Sequence, residues 1–169
     1  LNRARFLVQN KVELFGSPSL IYFLQTSYTL KDFKSNPKVL EMFSKLDDYD
    51  VFGAIKVWTE AEDKTLSILS RKLIDRDLPK VRITNKECGA KEIEQHKELV
   101  KKKYGVTEKQ CEYFVYTEIL ENNAYDLKAD SINILTKEGD IVDLVDASDN
   151  FTLSTFSVPV QKFLLSYIT

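Results

Sequence analysis

The residues able to do chemistry in this sequence are few and scattered. His96 is its one histidine, and Cys88 and Cys111 are its two cysteines. Imidazole chemistry and zinc binding draw on further His, Cys or carboxylate partners at set spacings. Cys88 and His96 alone make no zinc pattern. His96 follows Ile93 by three positions and precedes Val100 by four, so it borders an apolar helical stripe and reads as a packed or surface residue. Each cysteine reads as a buried free thiol. Asp47, Asp48 and Asp50 could hold a metal or divide acid and base work. At a helix start, however, such carboxylates cap amides and complement the dipole, and that is the role expected here. Asp140, Asp143, Asp146 and Asp149 recur every third residue without the glycine and closing Glu of an EF-hand loop, which predicts solvated surface. Gly16, Gly53, Gly89, Gly105 and Gly139 never fall at GxGxxG or GxxxxGK[ST] spacing. The sequence therefore holds no Rossmann or Walker phosphate cradle.

The densest cluster of charge is Arg71-Lys72-Leu73-Ile74-Asp75-Arg76-Asp77-Leu78-Pro79-Lys80. Planar Arg76 and point-charge Lys80 suit a nucleotide phosphate. Composition by itself favours ion pairs with Asp75 and Asp77 instead. Lys101, Lys102 and Lys103 sit where a helix C-terminus attracts cations, so they need no ligand.

The elements that must position these groups change character along the chain. Phe6, Leu7, Asn10, Leu14 and Phe15 follow a helical stripe that ends at Gly16. Ser17-Pro18 and Asn36-Pro37 are cap-then-proline starts for two further helices, the second running through Val39, Leu40 and Phe43. Thr26 to Ser35 reads as a polar connection. Asp47 caps a helix over 48–58 with Val51, Ile55 and Trp58 inward, and another over 62–75 buries Leu66, Leu69 and Leu73. After Leu78-Pro79, Lys80 to Thr84 alternates like a half-buried strand. A polar helix over 88–104 closes at Gly105. Strands are expected at 112–120, 132–135, 141–145 and 163–168, the middle two joined through Lys137-Glu138-Gly139-Asp140. A short helical turn is expected near Asp149, before Pro159. The class is α+β, with a helical N-terminal half followed by a small antiparallel β-rich lobe containing one long helix. The expected division is 1–78 and 79–169.

Length and composition bound the function. The 169 residues carry 24 basic and 26 acidic side chains, a net charge of −2. That balance argues against nucleic acid as a partner. No run approaches the ~18 apolar residues of a membrane span, and the N-terminus has no signal-peptide cleavage site. Two cysteines are too few for a disulfide framework, which fits a reducing, cytoplasmic location. The sequence starts at Leu1 within a helical pattern, as a processed or partial chain would.

LDDYDVFGAIKVW and EDKTLSILSRKLIDRDLPKV, over 46–81, resemble the segment that follows the catalytic core of bacterial HD-domain phosphohydrolases, relatives of the deoxynucleoside triphosphate triphosphohydrolases. ILTKEGDIVDLVDASDN and PVQKFLLSYIT resemble the C-terminus of the bacterial branch. The resemblance implies a C-terminal, non-catalytic part of a metal-dependent enzyme acting on nucleotide phosphates. The family's His, His-Asp and Asp metal ligands match no residue here, so the divalent metal is expected in a preceding part and no cofactor in this one. Leu1 to Gly16 would be the end of a long helix. The implied partners are the N-terminal HD catalytic part of the same protein and further copies in a homo-oligomer. The family's Arg-x-Leu-aromatic-Lys element, which holds an activating nucleotide in regulated members, maps onto Arg76, Leu78 and Lys80. Pro79 replaces the aromatic residue, removing a backbone donor and a stacking surface. The alternative from another class is a freestanding interaction or ligand-binding module without catalytic activity.

Overall fold

The computed structural model describes residues 1–122, 133–143 and 160–168. Six helices come first: α1 (Asn2–Gln9), α2 (Pro18–Gln25), α3 (Leu30–Ser35), α4 (Pro37–Ser44), α5 (Asp48–Trp58) and α6 (Lys64–Ile74). Strand β1 (Lys80–Thr84) is followed by α7 (Ala90–Tyr104), α8 (Glu108–Cys111) and β2 (Val115–Asn122). Then come β3 (Asn133–Leu135), β4 (Ile141–Asp143) and β5 (Val160–Tyr167). The α+β class is as expected.

Caps explain most helix starts. Ser17 Oγ accepts from the Leu20 amide at 3.2 Å, and Asn36 Oδ1 accepts from the Lys38 amide at 3.0 Å. Proline occupies the first turn in both helices, where its missing amide costs nothing. Asp47 Oδ1 accepts from the Tyr49 and Asp50 amides, and Asp50 returns the favour to the Asp47 amide at 3.0 Å. This capping box assigns that acidic run to helix initiation.

Three local expectations need correction. The first helix stops at Gln9 instead of continuing to Gly16: Asn10 Nδ2 donates to the Phe6 carbonyl at 2.7 Å and Lys11 turns left-handed at φ 64°. The stretch 26–35 contains α3, nucleated by Thr29 and Asp32, whose side chains bond each other and the Thr29 amide. A short polar helix like this has too few apolar positions to show a period. Likewise α8 precedes β2, started by a Thr107–Gln110 capping box. The expected turn near Asp149 lies outside the described residues.

Two hydrophobic clusters form. Ala4, Leu7, Leu20, Leu24, Ala54, Ile55, Trp58 and Leu66 knit α1, α2, α5 and α6 together. The Trp58 indole N–H donates to the Phe15 carbonyl at 2.8 Å, satisfying the buried ring's only polar atom. Val100, Val106, Cys111, Phe114, Val115, Leu165 and Ile168 form the second cluster, against which Ile68 and Leu69 of α6 also pack. Helix α6 thus serves both.

The three-stranded sheet has the order β1-β5-β2, all antiparallel, and β3 pairs with β4 separately. The last strand in the chain is the central one. Lys80 and Val115 both pair with Tyr167, while Arg82 and Thr117 both pair with Leu165. Opposed residues share a face, so these two rows stand on the side where Leu165 is fully buried. Val81 and Ile83 stand on the other side and stay exposed. Gly105 ends α7 at φ 61°, where its N–H meets the Lys101 carbonyl, as a left-handed cap requires.

Candidate functional site

Arg76 and Lys80 flank the passage from α6 to β1. Asp75 closes α6 and Arg76 follows in the left-handed region at φ 58°. Its amide reaches the Leu73 carbonyl at 3.3 Å. Glycine is the usual occupant of this position, and an L side chain there costs about 1 kcal/mol. Strained backbone at an exposed arginine is a feature of ligand clamps and switch regions.

The ion pairs favoured by composition do not form. The Asp77 carboxylate accepts from Lys72 Nζ at 2.5 Å, not from Arg76. Among the described residues, neither Arg76 nor Lys80 has a side-chain hydrogen bond or ion pair, and both are exposed. Lys72 earns Asp77 by burial: its side chain is 11% exposed and its ammonium lies 6.0 Å from the Tyr104 ring centre. Desolvation pulls the Lys72 pKa down, but hydrogen bonds to Asp77 and Tyr104 outweigh it and the net shift is upward. The Asp77 carboxyl is held below its ordinary range by Lys72, with Lys103 adding to the effect. Asp77, one of the two carboxylates that flank Arg76 in sequence, is therefore committed to Lys72, and neither Arg76 nor Lys80 forms an ion pair with it or with Asp75.

The row that begins at Lys80 carries an unforeseen pair. Tyr167, opposite Lys80, stacks on the His96 imidazole with ring centres 3.9 Å apart and an interplanar angle of 27°. The packed reading of His96 matches this arrangement. In the next row Arg82 binds Glu92 at 2.6 Å and donates to Cys88 Sγ at 3.7 Å. Cys111 is buried, its thiol directed to the Lys97 carbonyl, and burial pushes its pKa up. Cys88, by contrast, is only half-buried.

The remaining carboxylate clusters do not make a metal centre. Glu94, Glu98 and Glu108 converge at the surface, the one such group of three among the described residues. Lys101 binds all three, at 3.7 Å and 2.6 Å for the first two, and Lys97 adds a contact to Glu108 at 3.3 Å. A lysine ammonium already stands where a cation would sit. Asp140 belongs to the β3–β4 turn, its amide donating to Thr136 Oγ1 at 3.2 Å. Asp146, Asp149 and the side chain of Asp143 lie outside what is described. The described residues therefore do not fit a His/His-Asp/Asp metal site.

Sequence reasoning missed a cleft of about 450 Å³ between the two hydrophobic clusters. Trp58, Leu66, Leu69 and Leu73 form one wall, and Tyr113 lies opposite. Leu73, expected to be buried, is 39% exposed because it borders this space. At its rim Arg3 Nε and Nη2 bind both oxygens of Asp63 at 3.0 and 2.6 Å, and the guanidinium lies 5.4 Å from the Tyr113 ring centre. Asp63 also caps α6 through the Leu66 amide at 2.8 Å. The hydrogen bonds from Arg3 hold the Asp63 carboxyl below its ordinary range against the opposing effect of burial. The only sign of this in the sequence is a basic residue one turn before Leu7 on the buried side of α1.

No protein-family model and no curated protein sequence matches the chain. A solved structure does. A phosphohydrolase from Bacteroides thetaiotaomicron superposes with a TM-score of 0.78 at 38% identity, over 99% of this chain and 41% of that one. The chain is related to a phosphohydrolase. It spans about two-fifths of that relative's length. The phosphohydrolase relation covers both hydrophobic clusters and the α6–β1 passage, since it takes in almost every residue. No described helix is long and apolar enough to cross a membrane.

Proposed function

We propose that the chain is the C-terminal, non-catalytic part of a metal-dependent HD-superfamily phosphohydrolase acting on nucleotide phosphates. The observation that carries this reading is the match of the whole chain, at 38% identity, to less than half of a phosphohydrolase. It is supported by the only histidine being stacked on Tyr167 and by the absence of a fitting metal-ligand set among the described residues. The role left to the chain is structural and regulatory. It completes the helical domain and, through Arg76 and Lys80, binds a nucleotide phosphate where subunits of a homo-oligomer meet. Two exposed cations without ion-pair partners, Arg76 at a strained turn and Lys80 at the start of β1, support that assignment. Pro79 removes the stacking surface, so the phosphate and not the base supplies the affinity.

The test compares the 169-residue chain with the natural polypeptide that contains it, on a nucleotide panel with added Mn²⁺. Hydrolysis by the longer protein, abolished by EDTA, with none by the chain alone is expected. Turnover by the chain alone overturns the reading. Calorimetry with dGTP on the longer protein should show binding that Arg76→Ala loses; no heat removes the nucleotide role.

A further inference from the structure

Helix α4 is apolar on two sides. Val39 and Met42 are buried inward, while Leu40 and Phe43 are each 55% exposed. Its polar residues Lys38, Glu41 and Ser44 take up one side, where Lys38 and Glu41 pair and Lys45 closes the chain of ion pairs. The apolar face of α4 is thus wider than the part the fold buries, and its outer edge is left open to solvent.

The outward side is not an isolated residue. Phe43 packs edge-on against Phe33 and Phe23, with ring centres 5.4 and 6.1 Å apart. Phe23 meets Tyr28 in turn, and Tyr28 stacks on Tyr22. Five rings from α2, α3, α4 and the α2–α3 connection thus build one contiguous aromatic shelf, four of them half-buried and Phe43 exposed, with Leu30 and Leu40 exposed beside it. Two capping devices, at Thr29 and at Asn36-Pro37, hold the backbone of this shelf in place. Exposed apolar side chains seated on packed rings, here Leu30, Leu40 and Phe43, suit a constant partner, because a preorganised face avoids an ordering cost on association.

We infer that this shelf is the face on which the remainder of the longer phosphohydrolase polypeptide docks. The length of the relative argues for that occupant: the chain matches it from end to end, yet more than half of the relative lies outside the match. A partner within the same polypeptide is present at high effective concentration, so a modest apolar face suffices to hold it. The inference rests on the reading under Proposed function and adds to it the surface of contact.

Hydrogen exchange of the 169-residue chain and of the natural polypeptide containing it tests the proposal. Amides of 30–44 should exchange on the order of tenfold more slowly in the longer protein, at every protein concentration. Leu40→Glu, at a position outside the ring cluster, should leave the melting temperature of the 169-residue chain unchanged and abolish that extra protection. Equal exchange in the two proteins overturns the inference, as does a natural polypeptide with nothing beyond these residues. Protection that grows with concentration in the 169-residue chain overturns it in favour of a second copy. Metal-dependent hydrolysis by the longer protein is measured in parallel. Hydrolysis without protection sinks the docking face alone, whereas protection without hydrolysis sinks the enzymatic reading alone.

Discussion

At Arg76 stability and function pull in opposite directions. The left-handed backbone at φ 58° penalises any L side chain. Arg76→Gly is expected to raise the unfolding free energy by about 0.5–1 kcal/mol in urea melts. The same variant should weaken phosphate binding, since the guanidinium goes with the strain; a variant that gained stability and kept its affinity would detach Arg76 from the ligand. At Asp63 the expected dependence is on pH. Its folded-state pKa is depressed by Arg3, so its contribution is complete above about pH 4, the unfolded carboxylate value. It is lost as pH falls through the depressed value. Unfolding free energy should therefore drop on acidification below about pH 4, and Asp63→Asn should flatten that part of the profile. Because the Arg3 side chain is only 11% exposed, that variant should also cost on the order of 2 kcal/mol at pH 7.

Helix ends are where local chemistry and fold agree best. Gly105 stands at φ 61°, with only the flexible Lys64 ammonium near the position a Cβ would take, so the penalty of a side chain there is backbone strain and not crowding. Gly105→Ala should lower stability by about 1 kcal/mol, measured by thermal or urea unfolding. A loss well above that would mean that α7 ends differently. The same reasoning makes Ser17-Pro18, Asn36-Pro37 and Asp47 legible as helix starts from sequence alone. It did not reach α3 or α8. Those two are short, polar and held by reciprocal side-chain bonds at Thr29–Asp32 and Thr107–Gln110. Hydrophobic period, which reports burial, has nothing to register in such helices. The first helix erred the other way: Leu14 and Phe15 continue the period, but the left-handed Lys11 has already ended the helix.

Across the whole molecule, α6 joins the two hydrophobic clusters, Leu66 facing one and Ile68 and Leu69 the other. The cleft between them is made by α1, α5, α6 and the 112–116 segment together. No local pattern could announce it, because its walls come from positions far apart in the chain. The same holds for the candidate site. The types of Arg76 and Lys80, and their place at a helix-to-strand passage, were readable from spacing and from the resemblance. Their lack of partners was not: composition offered Asp75 and Asp77, and only three dimensions gave Asp77 to Lys72, half-buried beside Tyr104. His96 shows the complementary case. Its solitude in the composition argued against imidazole chemistry, and its stack on Tyr167 supplied the use it has instead. By itself the sequence determined the α+β class, the main helix starts, the strand at 80–84 and the lack of a phosphate loop, because these follow from short-range sterics, caps and periodicity. Tertiary structure decided the central place of the last strand, which charges pair at the α6–β1 passage, the cleft at Arg3 and the aromatic shelf. Those depend on which distant residues share a surface, a choice made by packing and desolvation that no local window contains.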